Sequence, residues 1–349
     1  MPLTLHVDGE RWRAHLRRVA ETHPGLVPVA KGNGYGLGLP RLARKSDRLG
    51  VDTIAVGTYA EVGEVLSRFG GDVLVMTPWR RELPVGELGY DSRVVHTLSR
   101  VADMQSLAAR ASASGTRPRV VVEGLTSMAR HGLTRHELSA AARALGPLRL
   151  TGFALHLPMT GGNLTEAEQW AAALQASQLE TTRLFVSHLS DAELTELAQR
   201  RPGLSLRPRI GTSLWLGDRG ALRVAATVLD RHQVQRGERI GYRQRPMPRA
   251  GTLVVVAGGT AHGIGLEAPA AMTSLRQRAV SLARGGLEAA GLSLSPFRIG
   301  GKQRWFAEPP HMQASMLFVP GSGSVPDIGA EVDVDVRFTT TYVDEVAIS

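Results

Sequence analysis

Short apolar runs rich in β-branched residues alternate with amphipathic segments through the first two thirds of the chain. Eight of these runs have the length and composition of β-strands: Val27–Lys31, Thr53–Val56, Asp72–Met76, Val94–Thr97, Arg119–Glu123, Thr151–His156, Leu184–Ser187 and Ser205–Ile210. Six stretches between them carry apolar residues at helical spacing: Pro40–Leu49, Thr58–Phe69, Leu98–Ser114, Arg135–Leu145, Thr165–Leu179 and Ser190–Gln199. This strand–helix rhythm predicts an α/β fold with a (β/α)₈, or TIM, barrel.

A doubly wound parallel sheet is the alternative fold, because the rhythm alone cannot show that the sheet closes. Two features favour the barrel. The number of predicted strands fits it, and the sequence has no Gly-x-Gly-x-x-Gly dinucleotide-binding signature.

A different pattern begins at about residue 221. Turns rich in glycine and proline separate apolar runs such as Thr252–Ala257, and one helical pattern, Ala271–Ala290, interrupts them. The sequence therefore predicts a barrel domain over residues 9–221 and a β-rich C-terminal domain over residues 222–349. Residues 1–8 are expected to pair with the second domain.

The composition is that of a globular protein with a sizeable core. The chain has 349 residues, of which 43% are hydrophobic and 21% charged. It contains no cysteine, which excludes disulfides, thiolate zinc sites and a cysteine nucleophile, and no metal site is predicted. The first residues do not resemble a secretory leader, and no apolar stretch reaches bilayer length. We expect a soluble, cytoplasmic protein.

The net charge of +9 raises the question of nucleic-acid binding. However, the arginines are scattered at helical spacing among acidic residues and alanines, and only 5% of the residues are aromatic. This pattern favours solvated helix faces, together with arginines that reach small anionic molecules. We therefore expect neither a nucleic acid nor a membrane as partner.

Lysine is rare in this chain, which has only Lys31, Lys45 and Lys302. Lys31 ends a predicted strand and begins a glycine-rich loop, where parallel α/β proteins expose reactive groups. Unlike arginine, lysine can lose its proton and form an imine with an aldehyde. A lysine at a strand end is ordinarily a surface residue, but the residues around Lys31 indicate a chemical role.

The segment Lys-Gly-Asn-Gly-Tyr-Gly-Leu-Gly that begins at Lys31 resembles the Lys-Ala-Asn-Ala-Tyr-Gly-His-Gly segment of the alanine racemase family. These are fold-type III enzymes that use pyridoxal 5′-phosphate (PLP). The resemblance implies a barrel followed by a β domain, with PLP attached to Lys31, which also acts as one proton-transfer base. Tyr35 would lie near the phosphate, and Leu37 replaces a histidine of the family.

Two further segments extend the resemblance. Leu125–Gly132 is similar to the family's Asp-Thr-Gly-Met-Gly-Arg-Leu-Gly, which implies that Arg130 binds the substrate carboxylate or the phenolate oxygen of PLP. Glu123 stands where many members have a lysine, carbamylated in some, so it could supply a negative charge beside Arg130; a simple pairing with any nearby arginine is the alternative. His156 resembles a strand-end histidine beside the cofactor, although a structural role is equally open.

The segment Leu206–Gly217 is similar to the family's Arg-Pro-Gly-Ile-x-Leu-Tyr-Gly after the last barrel strand. The resemblance implies that Arg209 faces the pyridine nitrogen of PLP, while the amides of Gly211 and Thr212 hold the phosphate. Ser190 would add a hydroxyl group, and another register would use Ser187. An arginine is too weak an acid to protonate the ring, so the ring is a poorer electron sink and return of the proton is favoured over transamination.

Racemisation needs a second proton-transfer group on the opposite face of the substrate. In the family, a tyrosine of the partner subunit supplies it within a Gly-Tyr-Ala-Asp-Gly segment. Here the matching segment has Thr260 in place of the tyrosine and His262 in place of the aspartate. Threonine is a poor base without help, whereas histidine titrates near neutrality, so we expect His262 to serve if the loop directs it inward.

The last matching segment, Pro310–Met316, resembles the family's Cys-Met-Asp-Gln. It implies that Met312 and Gln313 bind substrate, with Gln313 in place of the aspartate. The family's C-terminal phosphate-binding tyrosine has no clear counterpart, and Tyr342 is the candidate.

Together these motifs predict a PLP-dependent amino-acid racemase that resembles alanine racemase, interconverts L- and D-alanine and supplies cell-wall precursors. Its partners would be a small amino-acid substrate and a second copy of the chain, in a homodimer with shared active sites. Two alternatives remain. One is a PLP reaction that needs a single base, such as aldol cleavage. The other is a catalytically weak PLP-binding homologue.

Overall fold

The computed structural model of the chain describes residues 2–87, 89, 91–266, 293–321 and 323–349. The chain forms two compact units. The barrel unit comprises Arg13–Gly34 and Gly38–Gly217, and the β unit comprises the residues up to Trp12, Tyr35–Leu37 and Asp218–Ser349. The helix predicted over Ala271–Ala290 lies outside the described residues.

The barrel unit contains one parallel sheet of eight strands among its described residues. With β1 (Leu3–Val7) belonging to the other unit, these strands are β2 (Val27–Pro28), β3 (Thr53–Val56), β4 (Asp72–Val75), β5 (Val94–Leu98), β6 (Arg119–Gly124), β7 (Arg149–Leu155), β8 (Arg183–Val186) and β9 (Ser205–Ile210). Their order is β2-β9-β8-β7-β6-β5-β4-β3. A parallel bridge between Val29 and Ala55 joins the two ends of this order. The predicted (β/α)₈ barrel is confirmed.

Helices connect most of these strands. They are α1 (Gly9–Thr22), α2 (Leu39–Arg48), α3 (Val62–Leu66), α4 (Val101–Ser114), α5 (Leu138–Ala144), α6 (Asn163–Gln175), α7 (Asp191–Arg200) and α8 (Thr212–Leu216). In α4, Met104, Leu107 and Ala111 are buried at helical spacing, and Gly115 ends the helix in the left-handed conformation with a φ of 66°. Among the described residues, no helix combines the length and apolarity needed to cross a bilayer.

The interior of the barrel is filled by side chains. Its core consists of residues from the inward faces of the strands: Val27, Val29, Ala55, Leu74, Val95, Val121, Ala154 and Phe185. Gly152 is required beside Phe185, because a Cβ atom at position 152 would lie 2.6 Å from the Phe185 ring. Since the interior is packed, a ligand can bind only at an end of the barrel.

The β unit is built on a second sheet that is mainly antiparallel. Its described strands are β1, β10 (Leu222–Val234), β13 (Gly251–Ala257), β14 (Leu294–Ile299), β15 (Lys302–Phe306), β16 (Ala314–Pro320), β17 (Glu331–Val334) and β18 (Glu345–Ile348). The order is β13-β16-β15-β14-β17-β10-β1-β18, and β13 also pairs with β10. The short strands β11 (Arg239–Ile240) and β12 (Arg245–Pro246) form a separate hairpin. The predicted β-rich domain is confirmed.

The N-terminal strand is part of this second sheet. β1 runs antiparallel to β10, with Leu3 opposite Ala226 and Val7 opposite Leu222, and parallel to β18. Leu3 and Leu5 are fully buried there. The first strand of the chain therefore packs in the β unit although the barrel follows it in sequence.

Candidate active site

Chemically versatile side chains gather at the carboxyl ends of the barrel strands, where TIM barrels bind their ligands. They are Lys31 beyond β2, Glu123 in β6, Arg130 in the loop after β6, His156 beyond β7, His188 beyond β8 and Arg209 in β9. Lys31, Arg130, His156 and Arg209 were predicted as site residues from sequence. Charges on Arg209, Arg130, His188 and Lys31 all lower the pKa of His156, and the charge of Glu123 raises that of Arg209, so the barrel unit brings the group together.

The surroundings of Lys31 lower the pKa of its amine. Burial lowers its pKa from 10.5, the positive charge of Arg130 lowers it further, and Glu61 partly opposes this. Gly57 flanks the stem of the side chain, since a Cβ atom at position 57 would lie 3.2 Å from that of Lys31. A lowered pKa increases the fraction of neutral amine, which is the nucleophilic form.

Glu61 holds the start of the glycine-rich loop that begins at Lys31. One of its carboxylate oxygens accepts a hydrogen bond from the backbone N–H of Gly32 at 2.7 Å. The other accepts from the N–H groups of Gly57 and Thr58 at 2.6 and 3.1 Å. We did not identify Glu61 from sequence, although the Thr58-x-x-Glu61 spacing is that of a capping box. Its carboxylate places a negative charge near Lys31.

Arg209 is buried and keeps an N–H group that makes no hydrogen bond among the described residues. Its side chain is 6% exposed, and Nη2 donates to the backbone oxygen of Leu155 at 2.9 Å. Its Nε has no hydrogen-bond partner among the described residues. Burial lowers the pKa of Arg209, whereas the negative charge of Glu123 raises it. A buried N–H without a partner fits an acceptor atom supplied by a ligand.

Glu123 is a buried carboxylate whose charge interacts with the arginines of the group. It is 2% exposed, and its Oε2 has no hydrogen-bond partner among the described residues. Burial raises the pKa of Glu123, while Arg209, Arg130 and Arg80 lower it, in that order of strength. The position of Glu123 is consistent with both sequence-based alternatives, a fixed negative charge beside Arg130 and a pair with a neighbouring arginine.

His156 is an uncharged member of the group at neutral pH. Burial, followed by the positive charges of Arg209 and Arg130, lowers its pKa to about 3. Its backbone oxygen accepts a hydrogen bond from Thr126 Oγ1 at 2.5 Å. Because it stays neutral, His156 can pack against a ligand without adding to the positive charge of the site.

His188 was not identified from sequence and belongs to the same group. Its ring stands edge-on to the ring of His156, with the ring centres 5.6 Å apart. Burial lowers the pKa of His188, and the charges of Arg209 and Lys31 lower it further. The signal that could have identified it is its place directly after the predicted strand Leu184–Ser187, close to the position of His156 at the end of Thr151–His156.

The predicted phosphate-binding residues fall in three places. Ser190 caps the N-terminus of α7, where its hydroxyl donates to Glu193 Oε2 at 2.8 Å. Gly211 and Thr212 begin α8, the first turn of which directs backbone N–H groups outward. Ser187, from the alternative register, is buried, with its hydroxyl 3.5 Å from the backbone oxygen of Leu155.

Tyr35 groups with the β unit. It lies in the 3₁₀ turn Gly34–Gly36, is buried and has a φ of 56°, which is uncommon for a residue other than glycine. Gly36 and Phe338 pack closely here, because a Cβ atom at position 36 would lie 3.3 Å from the Phe338 ring. A strained tyrosine in a glycine-rich turn is consistent with a functional role for this loop.

The remaining predicted residues are brought together within the β unit. The N–H of Thr260 donates to the backbone oxygen of His311 at 2.8 Å, and the N–H of Ala261 donates to that of Met312 at 2.9 Å. The N–H of Gly258 donates to the backbone oxygen of Gln313 at 2.9 Å. Met312 is 72% exposed. The two segments that were matched separately to the family therefore form one surface element.

His262 is held by hydrogen bonds at both ring nitrogens. It is 8% exposed; its Nδ1 accepts from the N–H of Gly259 at 3.2 Å, and its Nε2 lies 3.0 Å from Asp344 Oδ1. Since Nδ1 is an acceptor, Nε2 carries the proton and donates to Asp344. The Tyr342 N–H donates to the backbone oxygen of His262. A catalytic role for His262 stays a prediction from sequence, and it requires that the bond to Asp344 break.

Comparison with known proteins gives a consistent result. The family model for the N-terminal domain of alanine racemase matches residues 7–215. An alanine racemase of Nitratidesulfovibrio vulgaris (strain DSM 19637 / Miyazaki F) is 30% identical over 304 residues, which cover 77% of this chain and 79% of the relative. One from strain DP4 of the same species is 28% identical over 272 residues, or 71% of each protein.

The solved structures agree in fold. The crystal structure of alanine racemase from Bartonella henselae, with covalently bound pyridoxal phosphate, superposes with a TM-score of 0.74. The match covers 100% of both chains at 16% sequence identity. The structural match shows the same fold. The match to the family model spans more than half of the chain and establishes that the chain belongs to the alanine racemase family.

Proposed function

We propose that this protein is a PLP-dependent racemase that interconverts L- and D-alanine. The observation that carries the proposal is a lysine with a lowered pKa, Lys31, which shares the barrel mouth with the buried guanidinium of Arg209. A lowered pKa increases the fraction of neutral amine, the form that reacts with the aldehyde of PLP. The Nε–H of Arg209, which has no partner among the described residues, suits the pyridine nitrogen.

The other residues fit the remaining groups of the cofactor. Arg130 would bind the phenolate oxygen or the substrate carboxylate, and the backbone N–H groups of Gly211 and Thr212 would bind the phosphate. Tyr35 and Ser190 are further candidates for the phosphate, and His156 for packing against the ring. When bound, PLP would withdraw electrons from the substrate Cα and so weaken its C–H bond.

The chain's own residues determine which reaction follows. Lys31 would move a proton to or from Cα on one face. Arg209 holds its proton too firmly to protonate the pyridine nitrogen, which limits the electron-withdrawing power of the ring and favours return of the proton to Cα. The excess of cations over Glu61 and Glu123 at the mouth suits a cofactor and a substrate that both carry negative charge.

A homodimer with shared sites is part of the proposal. Thr260, His262, Met312 and Gln313 would then serve the barrel site of the partner subunit, a hypothesis that rests on the resemblance to the family. Light scattering at micromolar concentration should give twice the mass of one chain. A fully active monomer would contradict the shared site. We also propose a cytoplasmic location and a role in cell-wall precursor supply.

Chiral analysis of the product tests the reaction itself. The purified protein loaded with PLP should convert L-alanine into a mixture of both enantiomers, and should do the same from D-alanine. Release of an aldehyde from a β-hydroxy amino acid, without racemisation, would support the one-base alternative. Cofactor binding without turnover of either enantiomer would support the catalytically weak homologue.

A further inference from the structure

Racemisation requires a proton-transfer group on each face of the substrate, and Lys31 accounts for one. Position 260 holds threonine where the family has tyrosine. The other sequence-based candidate, His262, has both ring nitrogens engaged by Gly259 and Asp344. The other titratable residues of the described structure are therefore further candidates for the second group.

His188 and Lys31 flank the same strand at the barrel mouth. In the order β2-β9-β8, Lys31 follows β2 and His188 follows β8, so that β9, with Arg209, lies between them. The charge of Arg209 acts on both side chains, and that of Lys31 acts on His188. Two bases on either side of one guanidinium could reach a ligand bound to that guanidinium from two directions.

The backbone of His188 is held in an uncommon conformation. Its φ is 59°, in the left-handed region that residues other than glycine rarely occupy. Asn163, 4% exposed, fixes this turn by donating from Nδ2 to the backbone oxygens of His188 at 2.8 Å and Pro158 at 2.9 Å. Strained backbone of this kind is concentrated at functional sites, where it directs a side chain.

The imidazole of His188 is available for proton transfer. Among the described residues, no hydrogen-bond partner occupies either of its ring nitrogens, in contrast to His262. The neighbouring His156 is a poorer base near neutral pH, because its pKa is lowered to about 3. On the basis of the proposed racemase function, we infer that His188 is the acid/base that exchanges the substrate Cα proton on the face opposite Lys31.

The proton balance of this step is simple. The Cα–H bond breaks, its proton bonds to a ring nitrogen of His188, and its electron pair remains on the substrate. The ammonium group of Lys31 then gives a proton to Cα on the other face, which forms the new C–H bond. His188 ends as imidazolium and Lys31 as the free amine, and the reverse reaction or exchange with water restores both.

The test is His188→Asn, with His131→Asn as the matched control. His131 is another histidine of the barrel unit with a pKa lowered by burial and by the charge of Arg130. Exchange of the Cα proton is measured in D₂O from each enantiomer. His188→Asn should lower exchange from one enantiomer on the order of 10²- to 10⁴-fold and from the other much less. His131→Asn should stay within a few-fold of wild type.

A second measurement does not depend on turnover. In the ¹⁵N-histidine NMR spectrum of the apo protein, the ring of His188 should titrate below its ordinary value of 6.5, because of burial and the charges of Arg209 and Lys31. Adding PLP should shift this resonance, with that of His156. The absorbance of bound PLP should be the same in His188→Asn and wild type, which separates a proton-transfer role from a structural one.

The outcomes separate this inference from the proposed function. If wild type binds no PLP or racemises nothing, the proposed function fails. If wild type racemises alanine but His188→Asn exchanges protons from both enantiomers at the wild-type rate, the inference about His188 fails alone. A one-sided loss of exchange in His262→Ala, with none in His188→Asn, would assign the second face to His262.

Discussion

Replacement of Lys31 by alanine should reduce racemisation of alanine on the order of 10⁴-fold or more and should abolish covalent attachment of PLP. Lys31 combines two proposed tasks, attachment of the cofactor and proton transfer on one face. The other lysines, Lys45 and Lys302, belong to helix α2 and strand β15. Neither is part of the group at the barrel mouth, so neither should compensate for the loss.

The measurement combines kinetics with labelling. Borohydride reduction of the loaded wild-type protein, followed by peptide mapping, should mark Lys31, and no lysine should be marked in Lys31→Ala. A small primary amine added to Lys31→Ala should restore part of the activity in proportion to its concentration, because it replaces the missing group without the tether.

Lys45→Ala is the matched control, because burial and like charges also lower the pKa of Lys45. Its activity and its label at Lys31 should be unchanged. A borohydride label on Lys45, or undiminished racemisation in Lys31→Ala, would exclude Lys31 as the attachment point.

The barrel and the family could be predicted because strand–helix periodicity and short motifs are local features of the sequence. The strands Thr53–Val56 and Ser205–Ile210 have the predicted bounds, since a short apolar run between turn residues leaves little freedom. Thr58–Phe69 was predicted as one helix, whereas the structure has the 3₁₀ turn Tyr59–Glu61 followed by α3. The Glu61 carboxylate accepts hydrogen bonds from backbone N–H groups at this turn. The spacing of apolar residues does not reveal such bonds.

The division into units was harder to predict, because it is not contiguous in sequence. The sequence placed boundaries after residues 8 and 221, with residues 1–8 joining the second domain, whereas the β unit of the structure also takes Tyr35–Leu37 from the loop that begins at Lys31. A hydrophobic pattern reports which face of an element is buried but not which distant element covers it. The burial of Tyr35 in the β unit therefore could not be predicted from the sequence pattern.

Candidate site residues could be identified from the sequence only where they lie in a recognisable motif. Lys31, Arg130 and Arg209 stand at fixed spacing in segments that resemble the family, and the structure brings them together. His188 falls in the segment that matched least securely, and its proximity to His156 depends on the pairing of β7 with β8. For His262, the residue type can be read from the sequence, but the two hydrogen bonds that hold its ring cannot.

Replacement of Arg209 by methionine should destabilise the apo protein by up to about 3–5 kcal/mol, the scale expected when a buried carboxylate loses its main countercharge. Arg209 is the charge that most strongly lowers the pKa of Glu123, and both side chains are buried. Urea unfolding without PLP is the appropriate measurement, since a bound cofactor would add its own stabilisation to the folded state.

The pH dependence of this loss has a definite sign. Removing Arg209 raises the pKa of Glu123 further above its ordinary value of 4.5. The native state of the variant then keeps the Glu123 proton at pH values where the unfolded state has lost it. The deficit relative to wild type should accordingly be smallest near pH 4.5 and grow as the pH rises.

Two further variants determine whether the cost arises from the buried charge. Arg207, two positions earlier in β9, pairs with Asp52, a carboxylate that is largely exposed, with Nη1 donating to Oδ2 at 2.9 Å. Because water can solvate Asp52 after the loss of its partner, Arg207→Met should lose only about 1 kcal/mol from the broken pair.

Adding Glu123→Gln to Arg209→Met removes the stranded charge and should recover much of the loss, with a coupling of about 0.5–3 kcal/mol. Equal losses in Arg207→Met and Arg209→Met, with additive behaviour of the double variant, would mean that Glu123 and Arg209 do not act as a pair. Glu123 would then be free to serve Arg130 instead, as the resemblance to the carbamylated lysine implies.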